Sequence, residues 1–246
     1  MIVRNLNQGY EIIFQRNHAL LAGELARHLK EAFRPPRWIE TLSAILEHDD
    51  GQTDWSEAEW ITTDGHPKDY SERGFDLTQA RKITQESAYK STWIQLLVSM
   101  HTTSLCESSE YQTDNMRQFI KEQRAIQKKL RKLHSLRENE VVGYYRFLRW
   151  CDECSLILCK GELEDGEKRS LIIGDITSQS TVKIVRTDDG SMTVAPWCFQ
   201  EEHFSVTAEL FQLNQTSYQS TEELRAQISN TSPVTKTWIF KKNAMI

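Results

Sequence analysis

Asp49 interrupts an apolar segment of this sequence at a position where a charge is costly. It follows Leu42 by seven residues and Ile45 by four, so on a helix its carboxylate lies within their apolar stripe. An ionised carboxylate that faces a protein core is unfavourable unless a partner or a metal ion compensates its charge. Asp49 therefore either ends its helix, pairs with another group or binds a metal ion.

Similar interruptions occur in three other apolar segments. His18 stands three residues before Leu21, His101 four after Leu97, and Asp152 four after Leu148, while His48 lies at the edge of the Asp49 stripe. Any one of these histidines could be an ordinary hydrogen-bonded core residue. A shared divalent ion would satisfy all of these side chains at once, and mixed histidine and aspartate donors suit Mn, Fe, Co, Ni or Zn.

A helical body must position these side chains, and the periodicity predicts a fold of the α+β class that is mostly α. A hairpin is predicted at 1–6 and 10–15, and Asn17 is the predicted N-cap of the first helix. The predicted helices are 18–30, 38–49, 77–88, 91–105, 115–135 and 139–160, followed by strands at 171–173, 181–186, 192–195, 204–213 and 237–241 and a short helix opened by Thr221. We expect a helical body with its hairpin at 1–160, and a β-rich C-terminal region at 161–246 packed on it.

The composition is that of an ordinary folded protein. The chain has 246 residues, 39% of them hydrophobic, which excludes a disordered or collagen-like polymer. Its apolar runs are far shorter than the roughly 20 residues that a membrane span needs, and its start lacks a signal-peptide pattern. We expect a soluble cytoplasmic protein that does not bind membranes.

Five cysteines are present, and only Cys151 and Cys154 have the spacing of metal ligands. No second pair completes a four-thiolate zinc site. Because three of the five cysteines lie in one apolar segment, we expect buried structural thiols.

The segment 117–137 has eight basic residues and one acid, Glu122, in a chain whose net charge is −5. Such a stripe attracts anions, but Phe119 is its only aromatic residue available to stack on bases. A solvated helix face is favoured, and nucleic-acid binding remains the less favoured alternative.

The order of histidines and aspartates resembles that of the HD-domain metal-dependent phosphohydrolases. Carried over residue by residue, the first histidine of that family matches His18, its His-Asp doublet matches His48 and Asp49, and its last aspartate matches Asp152. The resemblance implies an HD-like helical bundle in which these four residues bind the metal.

A second resemblance spans nearly the whole chain. It is carried by the stretches 17–25, 47–51, 99–101 and 152–156, together with Pro196, Trp197 and Phe199. These look like the bacterial domain of unknown function 3891 family. No activity follows from that likeness, so the HD-like chemistry is an inference from residue order.

Our hypothesis is a phosphohydrolase acting on a small anionic substrate, such as a phosphorylated compound or a nucleotide. A bound ion lowers the pKa of water and polarises a phosphoryl oxygen. Asp50 or Glu47 would orient the water, and His101 would protonate a leaving oxygen or bind phosphate. Trp55 and Trp60, on the long polar segment 52–76, would close over a planar group of the substrate.

Two alternatives remain open. Some HD-like bundles hold iron and act as metal-dependent oxygenases, with additional histidines and a carboxylate. The bundle could also be a non-catalytic ligand-binding or interaction module, in which the β-rich region and Trp197 contact a protein.

Overall fold

The computed structural model describes residues 1–50, 59–164, 170–177 and 180–243. Trp55 lies outside these ranges. Within them the chain forms seven α-helices and seven β-strands, which confirms the mixed α+β class. The helices are α1 (Gln15–His28), α2 (Trp38–Glu47), α3 (Leu77–Ala88), α4 (Thr92–Ser108), α5 (Asp114–Leu133), α6 (Glu138–Lys160) and α7 (Thr221–Asn230). The strands are β1 (Ile2–Asn5), β2 (Tyr10–Ile13), β3 (Ser170–Thr177), β4 (Ser180–Arg186), β5 (Met192–Ala195), β6 (His203–Leu213) and β7 (Val234–Lys241).

The seven strands form one sheet with the order β1-β2-β6-β7-β5-β4-β3. The predicted N-terminal hairpin is present, and β2 pairs antiparallel with β6, with Tyr10 opposite Leu213. The hairpin and the C-terminal strands therefore share a sheet across some 200 residues of chain. The division of the chain into regions 1–160 and 161–246 stays a prediction. Strands from both of these regions belong to the one sheet.

Four helices pack together beside the sheet and carry the residues singled out above. Helix α1 contacts α2, α6 and β6, and α4 contacts both α2 and α6. Leu21 and Leu25 of α1 are fully buried, as are Ile45 of α2 and Leu97 of α4. The helical stripes read from the sequence thus face a common core, which brings their polar interruptions together.

One predicted helix cap is wrong. Helix α1 begins two residues before Asn17, whose Oδ1 instead accepts a hydrogen bond from the backbone N–H of Glu209 at 3.2 Å. The Asn17 side chain is thus used in a tertiary contact that spacing along the chain does not reveal. Helix α7 begins at Thr221 as predicted, and Ser220 caps it by accepting from the N–H of Glu223.

The expectation for the cysteines is confirmed, because all five are buried free thiols.

The basic segment is partly neutralised within the described residues. Arg124 pairs with Glu107 and Arg131 with Glu138. Among the helices of the described ranges, none combines the length and the apolar character of a membrane span.

Candidate metal centre

The structure brings five side chains from four helical segments to the floor of one cavity. His18 comes from the first turn of α1, and His48 and Asp49 come from the residues that follow α2. His101 comes from the middle of α4, and Asp152 from α6. The cavity has a volume of about 690 Å³, and all five residues line it. We call these five residues the His/Asp cluster.

Nitrogen and carboxylate oxygen atoms approach one another closely within the cluster. His18 Nε2 lies 2.8 Å from Asp49 Oδ2, and His48 Nε2 lies 3.2 Å from Asp152 Oδ1. Two sets of three donors each fit within 4.8 Å, namely His18, His48 and Asp49, and His48, His101 and Asp152. His48 belongs to both sets and is the centre of the cluster.

A backbone contact fixes the orientation of His48. Its Nδ1 lies 2.7 Å from the carbonyl oxygen of Ile45, and because a carbonyl only accepts, Nδ1 carries the proton. Its Nε2 is buried and makes no hydrogen bond of good geometry within the described part of the chain. The ring therefore presents a nitrogen to the two carboxylates, as histidine ligands of metal ions do.

A similar chain of contacts orients His18. Ser155 donates its hydroxyl proton to the backbone oxygen of Asp152 at 2.7 Å. Its oxygen therefore accepts from His18 Nδ1, which lies 2.9 Å away. Nε2 of His18 is left facing Asp49, whose Oδ2 also accepts from the side-chain amide of Gln15 at 3.3 Å. In both histidines a contact at Nδ1 thus fixes the ring and directs Nε2 at a carboxylate.

The donor spacing fits a metal ion. When two donors bind one ion at about 2.1 Å each and subtend 90° to 110°, they lie about 3.0 to 3.4 Å apart. The His18–Asp49 and His48–Asp152 separations of 2.8 and 3.2 Å are close to this range. Three imidazoles and two carboxylates suit a divalent first-row metal.

The electrostatics of the cluster favour positive charge at its centre. Burial opposes charging of His48, but the carboxylates of Asp49 and Asp152 outweigh it and raise the pKa of His48 to about 10. Burial also opposes the charge of Asp49, yet the facing imidazoles, His48 first, hold the pKa of that carboxyl well below its usual range. Burial and the neighbouring His48 lower the pKa of His101 to about 4, so His101 is neutral near pH 7.

The walls of the cavity differ from its floor. Ile83 of α3, Leu105 of α4 and Leu156 of α6 contribute apolar surface. The 70–76 segment forms another part of the lining, and Tyr111, whose surface is 79% exposed, stands at the edge. A polar floor beneath partly apolar walls suits a small molecule with one charged end.

Two residues predicted to orient water lie elsewhere. Glu47 forms an ion pair with Lys90 at 2.8 Å, and Asp50 lies 3.7 Å from Arg16. Neither lines the cavity. Each of these carboxylates instead faces a basic side chain that does not line the cavity either.

Trp60, predicted to contact substrate, is 2% exposed and does not line the cavity. It packs in a cluster with Met1, Tyr10, Leu213 and Tyr218. Its indole ring lies under the guanidinium of Arg73 at 4.5 Å, and Arg73 does line the cavity. Trp55, which was given the same role, lies outside the described residues.

Three residues of the site were not predicted from the sequence. Ser155 lies three residues after Asp152 on α6, and that spacing is the signal for its contact. Gln15 lies three residues before His18 on α1 and faces Asp49. Arg73 had no signal, because its place depends on how the 70–76 segment folds over the cavity.

Comparison with known proteins identifies a family but no characterised relative. No curated protein and no solved structure matches the chain. The family described as "Protein of unknown function (DUF3891)" matches residues 1–215, which include the whole His/Asp cluster. The chain therefore belongs to this family, whose function is unknown.

Proposed function

We propose that this protein is a metal-dependent phosphohydrolase of the HD-like type. The observation that carries the proposal is the convergence of three imidazoles and two carboxylates on the floor of an open cavity. His18, His48, Asp49 and Asp152 would bind the ion, and His101 completes the set. The HD-like order of these residues along the chain supports the same reading.

A divalent ion, when bound, supplies a more acidic water and polarises a phosphoryl oxygen. The chain's own residues do the rest. Ile45 and Ser155 hold two of the imidazoles in place, and the apolar side chains of the walls offer contact surface to the rest of the substrate. A cavity of about 690 Å³ falls within the range that holds a small ligand, roughly 300 to 1,000 Å³. A small phosphorylated compound or a nucleotide is the substrate class that we propose.

The test has two readouts, metal retention and phosphate release. Chelated protein is reloaded with Mn, and free phosphate is measured over a panel of nucleotides and sugar phosphates. His48→Ala should lose both the metal and the activity. His28→Asn is the matched control, because His28 is also a buried histidine but stacks on Phe204 at 4.0 Å, ten residues along α1 from His18.

Two results would contradict the proposal. One is that the wild type retains no metal, and the other is that His48→Ala retains the metal and the activity of the wild type. Metal retention without turnover of any phosphate ester would instead favour the non-catalytic ligand-binding module.

One observation favours a metal-dependent oxygenase as the second candidate. His101 joins His48 and Asp152 in a second set of three donors beside the first, and five donors provide more ligands than a single-ion site needs. Metal analysis with an ultraviolet-visible spectrum separates the candidates. Two irons per chain and an absorption band of an iron centre would support the oxygenase, while a single redox-inert ion would support hydrolysis.

A further inference from the structure

The cavity combines an acidic floor with very little positive charge at its walls. Two carboxylates, Asp49 and Asp152, belong to the His/Asp cluster, and a dication bound there would do little more than cancel them. An anionic substrate therefore gains from a separate cation. Among the described residues that line the cavity, Arg73 is the one arginine or lysine.

Arg73 is held in place by its ring contact. Its guanidinium lies 4.5 Å from the centre of the Trp60 ring, and cation–π contacts of this kind are favourable. Trp60 is itself rigid, because it is 2% exposed and its backbone N–H donates to Thr221 Oγ1 at 3.0 Å. Stacking on one face of a planar guanidinium leaves the N–H groups at its edge able to bind another ligand.

The turn that carries Arg73 is also well ordered. Residues Tyr70–Arg73 form a 3-10 turn whose N-cap, Asp69, accepts from Ser71 N–H, while Glu72 accepts from Asp69 N–H at 2.8 Å. Asp69 also accepts from the N–H of Val3 at 2.9 Å, which ties the turn to β1. Arg73 thus approaches the cavity from a braced segment.

No carboxylate in the described ranges forms an ion pair with Arg73. Other arginines of the chain have one, since Arg4 pairs with Glu164, Arg81 with Glu122 and Arg124 with Glu107. The acids nearest in sequence are otherwise engaged, because Glu72 belongs to the turn and Asp76 caps α3 by accepting from Thr78 N–H and Gln79 N–H. Because none of the described carboxylates engages it, the Arg73 guanidinium at the edge of the cavity is available to an anionic ligand.

We infer that Arg73 binds the phosphoryl group of the substrate in this cavity, and that Trp60 is a positioning residue that holds its guanidinium there. The inference rests on the proposed function and adds to it the residue that recognises the anion. It also gives Trp60 a role in substrate binding that acts through Arg73 rather than by contact.

The test measures binding of inorganic phosphate by calorimetry, in the metal-loaded and in the chelated protein. Arg73→Gln should weaken binding about tenfold or more, as expected for loss of a charge-assisted contact, and Arg73→Lys should recover part of it. Trp60→Phe should weaken binding by a smaller factor at unchanged metal content. Arg81→Gln is the matched control, because Arg81 also lies over an aromatic ring, Phe119 at 5.4 Å, but does not line this cavity.

Three outcomes would overturn the inference: no phosphate binding by the wild type, binding by Arg73→Gln within twofold of the wild type, or equal weakening in Arg81→Gln. Arg73 is exposed, so its variants should fold even if Trp60→Phe does not. If phosphate binding depends on Arg73 but no ester is hydrolysed, the anion site stands and the proposed hydrolase fails. If an ester is hydrolysed and Arg73→Gln leaves its KM unchanged, the inference fails alone.

Discussion

Two clusters of charged side chains lie in the interior of this protein, and they differ in how completely they are paired. The first joins the N-terminal hairpin to β7 through Arg4, Glu11, Glu164 and Lys236. Arg4 Nη1 lies 3.0 Å from Glu11 and 2.7 Å from Glu164, and Lys236 Nζ lies 2.9 Å from Glu164. Glu164 also accepts from the indole N–H of Trp238 at 3.1 Å. Two cations thus balance two anions.

The His/Asp cluster has no such balance. Its carboxylates face imidazole nitrogens rather than permanent cations, with His18 Nε2 2.8 Å from Asp49 and His48 Nε2 3.2 Å from Asp152. It also opens to a cavity, whereas the first cluster ties parts of the fold together. The difference is that the first cluster balances permanent charges of both signs, whereas the His/Asp cluster presents imidazole nitrogens and carboxylates to a cavity that a ligand can enter.

Asp152→Asn should have the largest effect, and it should act on metal affinity. The variant replaces a proposed metal ligand, so the loss of metal affinity should exceed the roughly tenfold to hundredfold loss that follows removal of a ligand's hydrogen-bonding partner. The metal-free protein should unfold at nearly the wild-type temperature, because cavity water can solvate the remaining groups. Metal titration and thermal unfolding measure the two effects. A large loss of stability without metal would show that the cluster is structural.

Glu164→Gln should have the opposite profile. The side chains of this cluster are 12% to 20% exposed, and the change leaves Glu11 as the one carboxylate of the cluster that faces both Arg4 and Lys236. The loss of unfolding free energy, which denaturant titration measures, should therefore be clear but smaller than the roughly 3 kcal/mol that follows when a buried charge loses its only partner. Metal affinity should stay at the wild-type value, and a parallel loss of both properties would contradict the distinction between the clusters.

Acid should act on stability through the same carboxylate. Burial works to raise the pKa of Glu164, but Lys236, Arg4 and Trp238 outweigh it and lower that pKa below its ordinary value of 4.5. A lowered pKa means that this stabilisation is present above pH 4.5 and is lost as the pH falls below it. Glu164→Gln should therefore lose less stability than the wild type below pH 4.5. Equal acid dependence of the two proteins would contradict this assignment.

Ser155→Ala should have an intermediate effect on metal affinity. Ser155 orients His18 without facing the other donors, so its loss should weaken metal binding by about tenfold. Thermal unfolding of the metal-free variant controls for damage to the fold. Unchanged metal affinity would show that His18 does not need this contact or is not a ligand.

Glu47→Gln should have the smallest effect, less than about twofold on metal affinity, because Glu47 pairs with Lys90 outside the cavity and exposed pairs contribute little. Asp50→Asn should behave in the same way. A loss as large as that of Asp152→Asn would return these residues to the site where sequence reasoning expected them.

Much of the candidate site was predictable because helical periodicity places side chains on faces. Leu42 and Ile45 locate Asp49, Leu148 locates Asp152, and the structure brings both to one cavity with the three histidines. Glu47 and Asp50 were chosen for their proximity to the doublet along the chain, but the structure pairs them with Lys90 and Arg16 outside the cavity.

Other features depend on contacts that a single sequence does not encode locally. The predicted strands are present, but their order is not readable from pattern, since β2 pairs with a strand some 200 residues away. Arg73 lines the cavity from the 70–76 segment, which tertiary hydrogen bonds tie to the N-terminal hairpin, as that from Val3 N–H to Asp69 shows. Trp60 was predicted to contact substrate because of its residue type, but in the structure it is buried in a hydrophobic cluster instead.

The most direct test of the central claim is a crystal structure of the Mn-loaded protein with anomalous diffraction data. We expect anomalous density on the cavity floor within bonding distance, about 2.0 to 2.2 Å, of His18, His48, Asp49 and Asp152. Two results would contradict this expectation. One is anomalous density elsewhere in the protein, and the other is a cavity floor that holds no metal at saturating Mn, with the histidines and aspartates contacting only one another.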